Sequence, residues 1–447
     1  MKGLKFKLNE INKDFIRQYK GRENVNYGCS MRGAWRALQC MKEDIAIVIH
    51  GPKGCNNEFK LDYEDTIAKT YCTEMNENDV ITGGLQKLEK LIFDLDKNKD
   101  ISLIVVLTTC TSELIGEDID TLLQNLKNKI SKECFVLHTS GISGMVQSEG
   151  HNMVISNLIK RYSLENKDKI KNSVNYIGYS WPFDYREGRD IYEMQRIFNE
   201  LGIKLNGVYT SNLGFDEIKN ASRASLNIVR CPGSAYSTIS FMKENFNIPY
   251  LKLPIPIGLK NTNEFFYKLI DYFDLGDSKK QILNSYEDVV KKKLSKYKEF
   301  LKGKKACVAV GANRTLYLVE ALIELGLEVK VISFYRIHET IGDKVINVSG
   351  KTCNNLERLK KEHNLDCDVL FYADSKQFYD AIKENKVDIV FDVHTNRKMI
   401  HNMGISFSES MDVEHPYHFY YGFLFFAENL VKELNQPFYK KYKEYCK

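Results

Sequence analysis

Short apolar runs alternate along the chain with longer segments in which apolar residues recur every three or four positions. The short runs are typical of buried strands, and the longer spacing is typical of amphipathic helices. Strands that alternate with helices build parallel sheets with helices packed on their faces. The pattern therefore predicts an α/β fold made of parallel sheets.

The predicted strands fall into three groups along the chain. In order, they cover residues 45–50 and 101–108, residues 173–178 and 226–230, and residues 306–311, 328–332, 369–372 and 388–391. A chain of 447 residues exceeds the size of a single hydrophobic core. Three domains are expected, covering residues 1–165, 166–300 and 301–447. The polar segment 277–305 is expected to be a solvated connecting helix.

Composition narrows the class of protein. Hydrophobic residues make up 43% of the chain and charged residues 28%, which is the balance of a folded protein. The formal net charge is only +5 and basic residues are interleaved with acidic ones, so nucleic acid is not expected as a partner. Neither an apolar leader nor an apolar run of membrane-spanning length stands in the sequence. We expect a cytoplasmic protein that does not enter a membrane.

Three of the eleven cysteines stand in special backbone settings. Cys29 lies in NYGCS and Cys55 in GPKGC, both beside a glycine, and Cys110 ends the strand-like run VLTTC. Ligands of α/β sheets bind at the carboxyl ends of parallel strands, and thiolates favour iron–sulfur clusters, zinc or copper(I). The separations of 26 and 55 residues match no local metal-binding spacing. From the residues alone, buried structural thiols are the favoured interpretation and a shared metal site is the alternative.

The segments around these cysteines resemble a known family. YGCSMRGAW, IHGPKGC and TTCTSELIGEDID, with TEMNENDVITGGLQKLEKLI between the last two, are similar in order and spacing to the cluster-ligand segments of the nitrogenase component 1 alpha subunit. The similarity runs from about residue 20 to the carboxyl terminus. It implies three Rossmann-like α/β domains around a central cluster cavity.

The resemblance also implies a metal site and partners. Cys29, Cys55 and Cys110 would hold an iron–sulfur cluster of [4Fe-4S] or [8Fe-7S] type at a subunit interface. The remaining ligands would come from a related beta-type subunit or from a second copy of this chain, giving a heterotetramer or a homodimer. An ATP-dependent iron protein would supply electrons.

A second site is implied by three further segments. LNIVRCPGSAY resembles the segment whose cysteine anchors the large iron–sulfur cofactor, which assigns that role to Cys231. TSGISGMVQSEGHN places Gln147 and His151 beside the cofactor as catalytic residues, and AVGANR places Arg314 against it. From the residues alone, an isolated histidine near a helix start is more often satisfied by its neighbours.

The carboxyl-terminal segment FSESMDVEHPYHFYYGF departs from the family pattern. The histidine that binds molybdenum in the family has no counterpart in register near Glu409, although His401 and His415 lie nearby in the sequence. A molybdenum–homocitrate cofactor is therefore not expected. The implied function is a nitrogenase-like reductase that acts on a bound cofactor or a small organic substrate. The alternative is a non-catalytic scaffold on which an iron–sulfur cofactor matures.

Overall fold

The computed structural model describes residues 4–11, 29–55, 69–165, 168–178, 185–209, 212–334, 339–341, 344–346, 348–392, 397–408 and 416–436. Across these ranges, helices that combine enough length with enough apolar character to cross a membrane are absent. Glu409 and His415, which bear on the molybdenum comparison, lie outside the described ranges.

Strands occur in every third of the chain and most of them are short. They are β1 (Leu4–Lys7), β2 (Ile45–His50), β3 (Lys69–Cys72), β4 (Leu103–Thr108), β5 (Glu133–Leu137), β6 (Ser173–Ile177), β7 (Lys204–Tyr209), β8 (Leu226–Val229), β9 (Tyr250–Lys252), β10 (Lys305–Ala309), β11 (Glu328–Phe334), β12 (Glu339–Ile341), β13 (Lys344–Ile346), β14 (Asp368–Phe371), β15 (Ile389–Asp392) and β16 (Ser406–Ser408).

Helices follow or precede nearly every strand. They are α1 (Ser30–Gln39), α2 (Glu77–Thr82), α3 (Leu85–Asp96), α4 (Cys110–Leu114), α5 (Ile119–Leu126), α6 (Gln147–Tyr162), α7 (Tyr185–Leu201), α8 (Phe215–Lys219), α9 (Tyr236–Phe246), α10 (Leu259–Tyr272), α11 (Asp277–Leu301), α12 (Ala312–Glu324), α13 (Val348–His363), α14 (Ser375–Glu384), α15 (Arg397–Asn402) and α16 (Phe419–Asn435).

The first sheet has the strand order β3-β2-β4-β5 and is parallel throughout. Side chains alternate across a strand. The odd-numbered residues of β2 therefore pack with α1 and α6, and the even-numbered ones pack with α3 and α5. Both faces of the sheet are covered, which explains why β2 and β4 are apolar at nearly every position.

Two further sheets repeat this plan. The second has the order β7-β6-β8-β9 and is parallel, and the third has the order β1-β14-β11-β10-β15-β16. In the third sheet only β1 runs antiparallel to its neighbour. A small two-stranded sheet pairs β12 with β13. The predicted α/β class with parallel sheets is confirmed.

Two contacts between distant parts of the chain were not predicted. β1 lies in the third sheet beside β14, and α16 packs on α7 and α11 of the middle part of the chain. One apolar core therefore joins the second and third sheets. α11 confirms the expected helix near residue 277, and its inner side buries Leu283, Val290 and Leu294. The domain limits at 165 and 300 stay predictions.

Candidate metal centre

Cys29 is positioned by the packing of α1 against α6. It is the residue directly before α1 and forms an isolated β-bridge with Val146, the residue directly before α6. The two helices approach at two glycines. A Cβ added to Gly33 would lie 1.7 Å from the carbonyl oxygen of Gln147, and one added to Gly150 would lie 1.7 Å from that of Ser30. Only glycine permits this approach, which brings Cys29 and Gln147 together.

Cys55 and Cys110 follow neighbouring strands. The end of β2 pairs with the end of β4 at His50 and Thr108, so both loops leave the same edge of the sheet. The loops are in contact, because the Thr109 hydroxyl donates to the His50 carbonyl oxygen at 2.9 Å. Cys55 ends a tight turn in which its N–H donates to the Pro52 carbonyl oxygen at 3.1 Å.

Gly141 links two of the predicted ligands. It follows β5 at the same edge of the sheet, and a Cβ at this position would lie 2.9 Å from Cys29 Cβ and 3.7 Å from Cys110 Sγ. Cys29 and Cys55 also pack against one apolar cluster. The structure thus brings the three predicted cysteines to one edge of the first sheet. Cys110 is exposed and the other two are half-buried.

Other cysteines differ from these three in their surroundings. Burial raises the pKa of Cys134 and of Cys367 to about 12, and it raises the pKa of Cys307 as well. Such thiols stay protonated and behave as apolar filler. Cys72, which the sequence did not single out, ends β3 at the same edge as Cys55, and its thiol donates to the Gly51 carbonyl oxygen at 3.4 Å.

His151 lies against the loop that carries Cys231. It projects from α6, which packs on the turn Pro232–Ser234. Burial lowers the pKa of His151 to about 4, a hydrogen bond with the Ser234 backbone opposes this shift, and the charge of Arg230 adds to it. Gln147 lies one turn earlier on α6, on the same side of the helix.

The Cys231 loop is also packed tightly against the end of β6. Gly178 directly follows β6 with a φ of +153°, and a Cβ there would lie 2.6 Å from the Cys231 backbone nitrogen. Asn152 of α6 reaches α9, where its amide donates to the Ser237 hydroxyl at 2.9 Å and its oxygen accepts from the Ser237 N–H at 3.2 Å. These contacts fix Cys231 relative to His151.

Arg314 faces the same region. Burial lowers the pKa of His418, the Asp190 carboxylate opposes the shift, and the charges of Arg230 and Arg314 add to it. The charges of two guanidinium groups therefore act on this imidazole. His418 Nδ1 is 2.7 Å from an Asp190 carboxylate oxygen.

A small pocket lies beside this group of charges; it is lined by Tyr176, Asp190, Ile191, Met194, Arg230, His418 and Phe419. Phe419 has a φ of +61°, which is rare for an aromatic residue. Its N–H donates to the Pro256 carbonyl oxygen at 2.8 Å and holds this conformation. Backbone strain of this kind is typical of binding sites. The sequence had singled out neither Asp190 nor Arg230.

The residues present fit the groups that the resemblance implies. Accessible thiols at glycine-lined loops suit iron–sulfur ligation, and Arg230 beside Cys231 suits an anionic cluster. The chain matches the family "Nitrogenase component 1 type Oxidoreductase" over residues 29–435. The chain belongs to this family. Proteins of the nitrogenase component 1 family bind iron–sulfur clusters.

The relatives of this nitrogenase component 1 protein include nitrogenase alpha chains and a cofactor biosynthesis protein. It is 25% identical over 442 residues to a nitrogenase molybdenum-iron protein alpha chain of Methanothermococcus thermolithotrophicus, covering 93% of this chain and 88% of the relative. It is 26% identical over 404 residues to the nitrogenase iron-molybdenum cofactor biosynthesis protein NifE of Clostridium pasteurianum, covering 87% and 83%.

The fold agrees with a solved structure, nitrogenase Cp1 at pH 5. The TM-score is 0.76 at 23% sequence identity, with 93% of this chain and 89% of that chain covered. The coarse class is therefore that of nitrogenase-family oxidoreductases, a group of homologues that includes the NifE type.

Proposed function

We propose that this chain is a nitrogenase-like reductase subunit. It receives electrons from an ATP-dependent iron protein at a cluster held by Cys29, Cys55 and Cys110, and delivers them to a cofactor or small organic substrate at Cys231. An iron–sulfur cluster held by thiolates supplies one-electron redox chemistry. The remaining ligands come from a related beta-type subunit or a second copy of the chain.

The observation that carries this proposal is that one helix touches both thiol sites. Val146, directly before α6, bridges to Cys29, and His151 contacts the Arg230–Ser234 loop. Five residues of α-helix rise by about 8 Å. The two sites are therefore neighbours, as transfer of electrons from one to the other requires.

The chain's own residues have separate tasks at the second site. Arg230 and Arg314 offset negative charge beside Cys231. His151 is neutral near pH 7, since its pKa is lowered to about 4, so it acts first as a hydrogen-bond donor. An anionic group bound at Cys231 would raise the proton affinity of His151 and allow it to deliver a proton.

An apolar surface beside Cys110 fits the docking of the electron donor. Ile81 on α2 and Leu114 on α4 are 81% and 67% exposed, and Val80 and Ile142 are exposed as well. The segments that follow these two helices are joined by a hydrogen bond from the Gly84 N–H to Glu117. Exposed apolar patches of this kind mark sites of protein association. Docking here would place an iron protein next to Cys110.

The second candidate function is a scaffold for maturation of an iron–sulfur cofactor. It is favoured by the similarity to NifE and by the missing histidine near Glu409. A scaffold would bind a cluster at Cys231 and release it, whereas a reductase would retain its cofactor or substrate site through many turnovers.

The test is iron and acid-labile sulfide analysis with EPR on anaerobically purified protein, co-expressed with its partner subunit. Cys55→Ala should lose one spectral species and Cys231→Ala another. Gly141→Ala should lose the Cys55-dependent species, because its Cβ meets Cys29. Gly188→Ala is the control, since its Cβ meets no atom within 4 Å.

Wild-type protein without iron would contradict both candidate functions. Turnover with an added iron protein then separates them. Repeated reduction of an added substrate supports the reductase, and transfer of the Cys231-dependent species to an acceptor protein without turnover supports the scaffold.

A further inference from the structure

A buried imidazole–carboxylate pair lies at the same edge of the first sheet as the three cysteines. His50 Nε2 is 2.5 Å from Glu117 Oε2, and His50 Nδ1 is 3.1 Å from the Thr73 hydroxyl. The two side chains are 0% and 4% exposed. Both ring nitrogens thus have defined partners inside the protein, and no part of the proposed electron path yet uses them.

The pair joins the two cysteine loops. His50 ends β2 five residues before Cys55, and Glu117 follows α4, the helix that begins at Cys110. The His50 carbonyl oxygen accepts from Thr109, the residue before Cys110. Charge that arrives at the cysteines therefore acts on a nearby buried pair, where the low dielectric strengthens electrostatic effects.

Glu117 also connects the pair to the start of α3. Its second oxygen accepts from the Gly84 N–H, at the start of α3. The positive end of α3 stabilises the ionised carboxylate at this position. Because a helix start and an imidazole both hold this carboxylate, its side chain has little freedom to move. We therefore expect a change of charge nearby to be balanced by proton uptake rather than by movement of the side chain.

The charges around His50 come from three elements. Burial lowers the pKa of His50, whereas Glu117 on the loop after α4 and Asp79 on α2 oppose this shift. Asp79 is itself paired with Lys87 of α3 at 2.5 Å. Burial lowers the pKa of His50 and the contacting carboxylate raises it. Because these two effects oppose each other, one further charge nearby can change the number of protons that the pair holds.

We propose that the His50–Glu117 pair takes up one proton when one electron arrives at the Cys29–Cys55–Cys110 site, and releases it when the electron moves on. The electron comes from the iron protein, or from dithionite in the test, and the proton comes from solvent. The positive charge of the proton then compensates the negative charge of the electron at this edge of the first sheet. The inference rests on the proposed function, since it requires a redox group at the cysteines.

The test is an EPR-monitored redox titration of the iron-loaded protein with its partner subunit, between pH 6.5 and 8.5. In the wild type the midpoint potential of the Cys55-dependent species should fall with rising pH, by up to about 59 mV for each tenfold fall in proton concentration. Glu117→Gln should remove this slope. Glutamine still accepts from the Gly84 N–H, so the loops keep their positions.

A second imidazole–carboxylate pair supplies the matched control. Glu113 of α4 contacts the exposed His138 at 2.8 Å, and Glu113→Gln should keep the wild-type slope. If Glu117→Gln does not load iron, His50→Gln carries the test, and it should also remove the slope.

The outcomes are distinguishable. Iron-loaded wild type without a slope, or a slope that survives in both Glu117→Gln and His50→Gln, overturns this inference and leaves the proposed function intact. A slope that disappears only in Glu113→Gln overturns it as well, because the proton then belongs to the exposed pair. Wild type without iron overturns the proposed function and the inference together.

Discussion

At the scale of residues, burial decides the chemical state of the groups around the two thiol sites. His151 and His418 are buried in the same region, and nearby arginines add to the lowering of the pKa of each. The Asp190 carboxylate opposes the lowering of the pKa of His418, whereas the Ser234 backbone opposes the lowering of the pKa of His151. His151 is thus a neutral imidazole, whereas His418 is an imidazole paired with a carboxylate, although both lie in the same region.

Neutral burial of His151 predicts a loss of stability in acid. The unfolded chain protonates this histidine near pH 6.5, whereas the folded chain does so only near pH 4. Stability is therefore full above pH 6.5 and falls as the pH drops toward 4. From pH 7.5 to pH 5 the loss should be about 2 kcal/mol. Urea unfolding at both pH values measures it.

His151→Gln should lack this part of the acid dependence. The difference between the two pH values should be smaller in the variant than in the wild type by about 2 kcal/mol. An equal pH dependence in both proteins would show that folding does not lower the pKa of His151.

At the scale of elements, α7 holds the start of α16. Glu193 accepts from the N–H groups of Tyr421 and Gly422 at 2.8 and 3.2 Å, and Asp190 accepts from the His418 N–H at 3.4 Å. The first turn of a helix has unpaired N–H groups, and carboxylates from another helix satisfy them here. This contact places His418 and Phe419 at the pocket.

Glu193 predicts a pH dependence of opposite sign. Burial raises its pKa to about 7, with the backbone hydrogen bonds of Tyr421 and Gly422 opposing the shift. Folding therefore favours the protonated form, and stability falls as the pH rises from 4.5 through 7. The loss between pH 5 and pH 8 should be about 2 to 3 kcal/mol in urea unfolding.

Glu193→Gln should remove this dependence, because glutamine is neutral at both pH values. At pH 5 the variant should be less stable than the wild type, since its amide accepts only one of the two N–H groups. At pH 8 the gap should narrow by about 2 to 3 kcal/mol. A gap that does not change with pH would mean that Glu193 is already ionised at pH 5.

At the scale of the whole molecule, the first and last described elements, β1 and α16, pack against distant parts of the chain. β1 completes the third sheet beside β14, where Lys5 and Lys7 lie 3.1 and 2.8 Å from the buried Asp368 carboxylate. α16 closes the other side by packing on α7 and α11. The second and third sheets therefore share one core rather than folding around separate ones.

Asp368→Asn should loosen β1. The substitution removes both ion pairs, and because the lysines are partly exposed the expected cost is about 1 kcal/mol. Hydrogen exchange of residues 4–7 should become several-fold faster, while β10 should be unchanged. Asp366→Asn is the control, since Asp366 is exposed and lies 3.7 Å from Lys7. Equal exchange in both variants would assign the attachment of β1 to backbone pairing alone.

The sequence by itself determined the parallel α/β class, the family and the cysteines at strand ends. The fold class depends on local periodicity, which is a property of neighbouring residues in the chain, and the family follows from the resemblance of the segments around Cys29, Cys55 and Cys110. IAIVIH and LIVVLT are buried on both sides and therefore apolar at nearly every position, so their pattern indicates central strands without further information.

Only the tertiary structure decided which of these residues meet. Gly141 lies between Cys29 and Cys110, His151 lies against the Cys231 loop, and β1 pairs with β14. His50 and Glu117 form their pair across 67 positions of sequence. Contacts of this kind arise from packing between elements, and the periodicity of one element contains no information about its partner.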